Sequence, residues 1–150
     1  MQNSIYVIFR NASTIAPAFL IMPSDNAATV AGGAAVEFPQ NGPSNGVITR
    51  SSNTSFTLPA IGTYMISWQV SVNEPGQLTI EVNGTENATT VVGRATGTNQ
   101  ISGNRLITTT STNSVLRIVN PTGNTPALTI TPNAGGSHAV SSSLVITRIF

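Results

Sequence analysis

Few side chains in this 150-residue sequence could do chemistry. His138, in "GGSHAVSS", is the sole histidine, and there is no cysteine. Hydrolytic triads, thiol nucleophiles and thiolate metal sites all draw on those two residue types. His138 reads as a loop or strand-entry residue. The acids are Asp25, Glu37, Glu74, Glu81 and Glu86. Only Glu81 and Glu86 lie close in sequence, flanking "VNGT", where a solvated hairpin turn explains them better than an acid–base pair. "GRATGTNQISG" (93–103) is glycine-rich, but it lacks the strand-to-helix setting and the lysine of a phosphate loop. It reads as a flexible loop followed by a strand. Asn11, Asn53, Asn83 and Asn87 open N-x-[ST] sequons, which an Asn- and Thr-rich chain produces by chance. The expectation is a protein that is not an enzyme and that uses no cofactor and no metal.

Charge points the same way. Charged residues are 7% of the chain, the net charge is +1, and the six basic residues are all arginines scattered along it. Such a field is too weak to recruit nucleic acid or an anionic membrane. Ser, Thr and Asn make up 52 of the 150 residues, so the polar surface consists of neutral hydrogen-bonding groups. Hydrophobic residues at 39% make the chain too apolar for a solvated coil. No apolar run reaches the ~18 residues of a membrane span. The N-terminal apolar run has no basic region before it and is shorter than a signal core, so no signal peptide is recognisable.

The elements that would carry these residues are strands. "GTYMISWQVSV" alternates with period two, Tyr64, Ile66, Trp68, Val70 and Val72 against Met65, Ser67, Gln69 and Ser71, the pattern of a strand with one buried face. In "QLTIEVNG", Leu78, Ile80 and Val82 face one way and Gln77, Thr79 and Glu81 the other. The intervening "NEPGQ" (73–77) is a Pro-Gly turn, which predicts a hairpin between the two. Further strands are expected at 17–22, 34–39, 54–59, 89–93, 100–109, 114–120, 127–131 and 142–150, with 25–35 a loop. About ten short strands separated by turn signals describe an all-β sandwich or barrel. Phe56, Tyr64, Ile66 and Trp68 are the expected core, Tyr64 and Trp68 supplying large apolar area on one face.

The ordered set "FTLPAIGTYMIS" (56–67), "VNG" (82–84) and "QISG" (100–103) resembles the tumour-necrosis-factor and complement globular-head superfamily. The resemblance is closest to its bacterial branch, the C-terminal domain of BclA-type collagen-like exosporium proteins, and covers roughly residues 17 to 150. It implies a ten-strand jelly-roll β-sandwich that assembles as a homotrimer and serves display or recognition at a surface. One departure stands out. Those relatives carry a collagen-like stalk before the head, and the residues here, "MQNSIYVIFRNASTIA", hold no Gly-X-Y repeat.

That segment sets the domain reading: a connector arm at 1–15 and the jelly roll at 16–150. Ile5, Tyr6, Val7, Ile8 and Phe9 are apolar on both faces of an extended strand, which calls for burial on both sides. They could form the jelly roll's own first strand. Alternatively they could leave their own head and pair with a sheet edge of the next subunit, with "NASTIAP" as hinge. A jelly roll already complete from about residue 17 favours the second. The functional expectation is a structural subunit of a bacterial spore appendage, exosporium or cell-surface fibre. It would trimerise through the jelly roll and polymerise through strand addition, with itself and an anchoring surface protein as partners. The alternative is a trimeric receptor- or glycan-binding head of a surface or phage fibre.

Overall fold

The computed structural model describes residues 18–20 (as backbone), 29–133, 136–138 and 141–149. The connector arm, with Ile5 to Phe9, lies outside the described residues. Twelve strands follow in order: β1 Ala18–Leu20, β2 Thr29–Val30, β3 Thr49–Ser52, β4 Ser55–Leu58, β5 Gly62–Val72, β6 Gly76–Val82, β7 Thr85–Glu86, β8 Val92–Arg94, β9 Asn99–Thr109, β10 Ser114–Val119, β11 Leu128–Thr129 and β12 Ser142–Arg148. β2, β7 and β11 are only two residues long, which brings the count close to the ten expected of a jelly roll. No α-helix forms among the described residues; one 3-10 turn spans Ala88–Thr90.

All pairings are antiparallel. One sheet has the order β1-β12-β5-β9, and the other the order β3-β4-β10-β6-β7 with β8 also on β6. Their apolar faces meet. Tyr64, Ile66, Val70, Leu144 and Ile146 of the first sheet, and Phe56, Leu58, Leu78, Ile80, Leu116 and Ile118 of the second, are fully buried. Phe38 closes the core edge-on to Phe56, with ring centroids 5.8 Å apart. Val36 and Phe38 are buried but sit in extended chain, held by single bonds such as Val36 N to the Ile118 carbonyl at 2.8 Å, rather than in the strand expected at 34–39.

The predicted hairpin of 64–72 with 77–82 does not form. β5 and β6 belong to different sheets, and the Pro-Gly segment is the crossover between them. Each strand has a fully apolar face, and opposing those faces across two layers buries both. The crossover is stitched to β11 instead: Asn73 N donates to the Thr129 carbonyl at 3.0 Å, and Thr129 N donates to the Glu74 carboxylate at 2.6 Å. A Cβ on Gly76 would fall 2.4 Å from Leu128 Cδ2, so the Leu128 side chain packs directly on the glycine backbone and would have to shift for a larger residue. The loop expected at 25–35 also contains β2, which pairs with β11.

β1 pairs with β12 from Ala18↔Val145 to Leu20↔Ser143. Ile149 N bonds the Thr63 carbonyl at 2.8 Å. Ile149 therefore lies at the end of the sandwich where β5 starts, while Ala18, opposite Val145 and so level with Ser67, lies at the middle of the sheet.

Candidate functional site

The inward face of β5 builds the core, and its outward face builds the candidate site. Register places Met65 between Leu106 of β9 and Thr147 of β12. Ser67 lies between Asn104 and Val145, and Gln69 between Ser102 and Ser143. None of these nine residues is charged. Leu106 is 61% exposed, a large apolar side chain with no cover, and Ile61 at the loop entering β5 is 53% exposed. Met65, Val145 and Thr147 are half-buried. The small serines leave a hollow of about 210 Å3 between Ser67, Gln69, Ser102 and Ser143, with Trp68 at its floor. On the inner side of the sheet the Trp68 indole lies over its cross-strand neighbour Gly103. A Cβ there would stand 2.2 Å from the Trp68 ring. Trp68 Nε1 is buried with no hydrogen-bond partner among the described residues.

The predicted core residues all sit between the sheets: Phe56, Tyr64 and Ile66 at zero exposure and Trp68 at 3%. The Tyr64 hydroxyl donates to the Ala60 carbonyl at 2.6 Å, which pins the loop between Pro59 and Gly62.

The acids hold structure. Glu81 and Glu86 are cross-strand partners in the β6–β7 ladder, around the turn where Asn83 (φ 51°) and Gly84 (φ 80°) take the left-handed values of a two-residue hairpin. Like charges placed so are unfavourable, and each carboxylate turns to its own partner. Glu81, 6% exposed, accepts a bidentate pair from Arg117 at 2.6 and 2.7 Å, directly across on β10. The hydrogen bond to Glu81 raises the Arg117 pKa against the opposing pull of desolvation. Glu86 accepts from the amide and hydroxyl of Thr122 at 2.8 and 2.7 Å. At Glu74, desolvation acts upward, but the Thr129 backbone and side-chain hydrogen bonds outweigh it, and the carboxyl titrates below its ordinary value. His138 is exposed. Among the described residues no group of three or more His, Cys, Asp or Glu could hold a metal ion.

Sequence reasoning missed the outward face of the first sheet. Its signal was present. Met65 falls on the polar phase of its strand, and Leu106 is out of phase with Ile101 and Ile107.

The globular domain of the zebrafish complement 1qA protein is similar to this chain in structure. The TM-score is 0.65 at 12% sequence identity, covering 91% of this chain and 98% of that one. At that identity the likeness speaks for the fold, a complement-like jelly roll. No curated protein sequence matches. The BclA C-terminal domain family matches residues 23–149, a span that takes in every strand from β2 to β12. The chain belongs to the BclA C-terminal domain family.

Proposed function

We propose that the chain is a structural subunit of a bacterial spore or cell-surface fibre, its heads associated as homotrimers. Family membership supports the surface setting. The observation that carries self-association is the outward face of β12-β5-β9, uncharged and with Leu106 uncovered. An interface between copies depletes charge at its centre and keeps apolar side chains there. Neutral Ser, Asn and Gln around Leu106 add hydrogen bonds that need no counter-ion.

Polymerisation is the further part of the reading. The sequence from Ile5 to Phe9 is apolar at both alternating phases, and β1 already occupies the sheet position beside β12. The segment then adds as a strand to a neighbouring subunit, and such head-to-tail contacts do not close. An anchoring surface protein would hold the fibre's base. The purified full chain is expected to sediment as a trimer or multiples of one and to show filaments in negative stain. A monomeric mass at micromolar concentration sinks the proposal. Discrete ~5 nm particles alone keep the trimer and remove the polymer.

The second reading, a trimeric ligand-binding head, is favoured by a groove that adjoins this face at Ser102, described next.

A further inference from the structure

Arg94 ends β8 half-buried. Its Nη1 donates to the Gln100 carbonyl at 3.4 Å and its Nη2 to the Thr96 hydroxyl at 3.3 Å. Both contacts are at the long limit of hydrogen bonding. It makes no ion pair among the described residues. Arg117, by contrast, is clamped by a carboxylate, and Arg50 donates to two amide oxygens at 2.8 Å. A guanidinium has five donors in a planar fork, and most of those of Arg94 are open.

Two hollows border it, and a third lies next to them. One of about 560 Å3 lies between Gly76, Gln77, Arg94 and Asn124. A second of about 400 Å3 has Arg94, Asn99, Gln100 and Ser102 on its walls. A third of about 600 Å3 adds Asn73, Ile130 and Pro132 beside Asn99 and Gln100. Arg94 borders the first two, and Asn99 and Gln100 border the last two, so the three follow one another along shared walls, together called the Arg94 groove. The side chains of Asn73 and Gln100 make no hydrogen bond among the described residues.

Backbone strain marks the same place. Thr98, in the loop from β8 to β9, holds φ at 50°, an outlier for a β-branched residue. Its amide is tied to the Asn73 carbonyl at 2.6 Å. A Cβ on the preceding Gly97 would come 2.2 Å from that same oxygen. Strain kept by such close packing concentrates at ligand sites.

We propose that this groove binds a saccharide bearing a carboxylate, with Arg94 holding the acid group. A single guanidinium among neutral walls suits one negative charge, and its fork matches a carboxylate bidentately. A dianionic phosphate would call for further cations. The uncommitted amides of Asn73 and Gln100 suit sugar hydroxyls, Ile130 and Pro132 offer an apolar wall, and the length of the groove suits several sugar units.

The test is an NMR titration of the full chain with tetragalacturonate, with maltotetraose as the neutral counterpart. Saturable shifts should centre on Arg94, Asn99 and Gln100 and include the Arg94 side-chain Nε–H. Arg94→Gln should weaken binding about tenfold or more, while Arg105→Gln leaves it unchanged. The proposal is overturned by no saturable shift up to about 10 mM, equivalent to less than ~3 kcal/mol of binding. It is also overturned by equal binding of maltotetraose, or by shifts that avoid Arg94. Should Arg94→Gln not fold, the Arg94 Nε–H shift in the native chain decides alone.

Discussion

Gly103 is a residue whose loss the core would feel directly. An added methyl meets the Trp68 ring at 2.2 Å, and the ring is only 3% exposed, packed among core neighbours. Overpacking of this kind costs about 1–3 kcal/mol. Gly103→Ala should therefore lower Tm by several degrees, at about 2–4 °C per kcal/mol in a domain of this size, as read by calorimetry. Glu74 gives a pH expectation. Its folded pKa lies below the unfolded one, so its contribution is fully present above the unfolded glutamate value of about 4.3. That contribution is lost as pH falls through the folded value. Glu74→Gln should flatten the acid limb of a Tm-against-pH curve; an unchanged slope would remove the Thr129–Glu74 contact from the account. The burial of Tyr64, Ile66 and Trp68 was legible from alternation alone. The burial of Thr79 and Glu81 was not. The polar face of β6 is covered by the turn at 87–90, where Thr79 and Thr90 both donate to the Asn87 carbonyl at 2.8 Å, and only the folded chain brings that turn there.

At the level of elements, the outward face of β12-β5-β9 carries the functional reading. Leu106 is exposed in the isolated head, so changing it alters little within a subunit, whereas a charge buried between copies is costly. Leu106→Glu should shift the sedimenting species from trimer to monomer with an unchanged far-UV circular dichroism spectrum. A trimer that survives this change associates through some other face. Period-two patterning identified β5 and β6, because each has an apolar face to bury, while strand-forming runs between turn signals marked β9, β10 and β12. It could not say which sheet each strand joins. A Pro-Gly segment turns the chain equally well within a sheet or across to the opposing one, and the long-range contacts of Asn73 and Glu74 with Thr129 decide between them. β3 (Thr49–Ser52) was invisible, being polar and exposed at three of its four positions.

Across the whole molecule, the proposed connector is expected to be separable from the head. Deleting residues 1–11 should leave trimers of unchanged melting temperature and abolish filaments in negative stain. Filaments that persist would assign polymerisation to the heads. The antiparallel pairing of β1 with β12 adds a polarity. Ala18 lies level with the middle of β5 and the chain runs from it away from the end where β5 starts, the end where Ile149 lies; the Arg94 groove lies at the other end, where Val72 meets Asn99. The 11 residues of β5 set these ends ~35 Å apart. A head held at the end where Ile149 lies would turn its groove outward. Three parallel copies would present three such grooves on one tip, so that weak individual contacts with a repeating polymer would be multiplied by avidity.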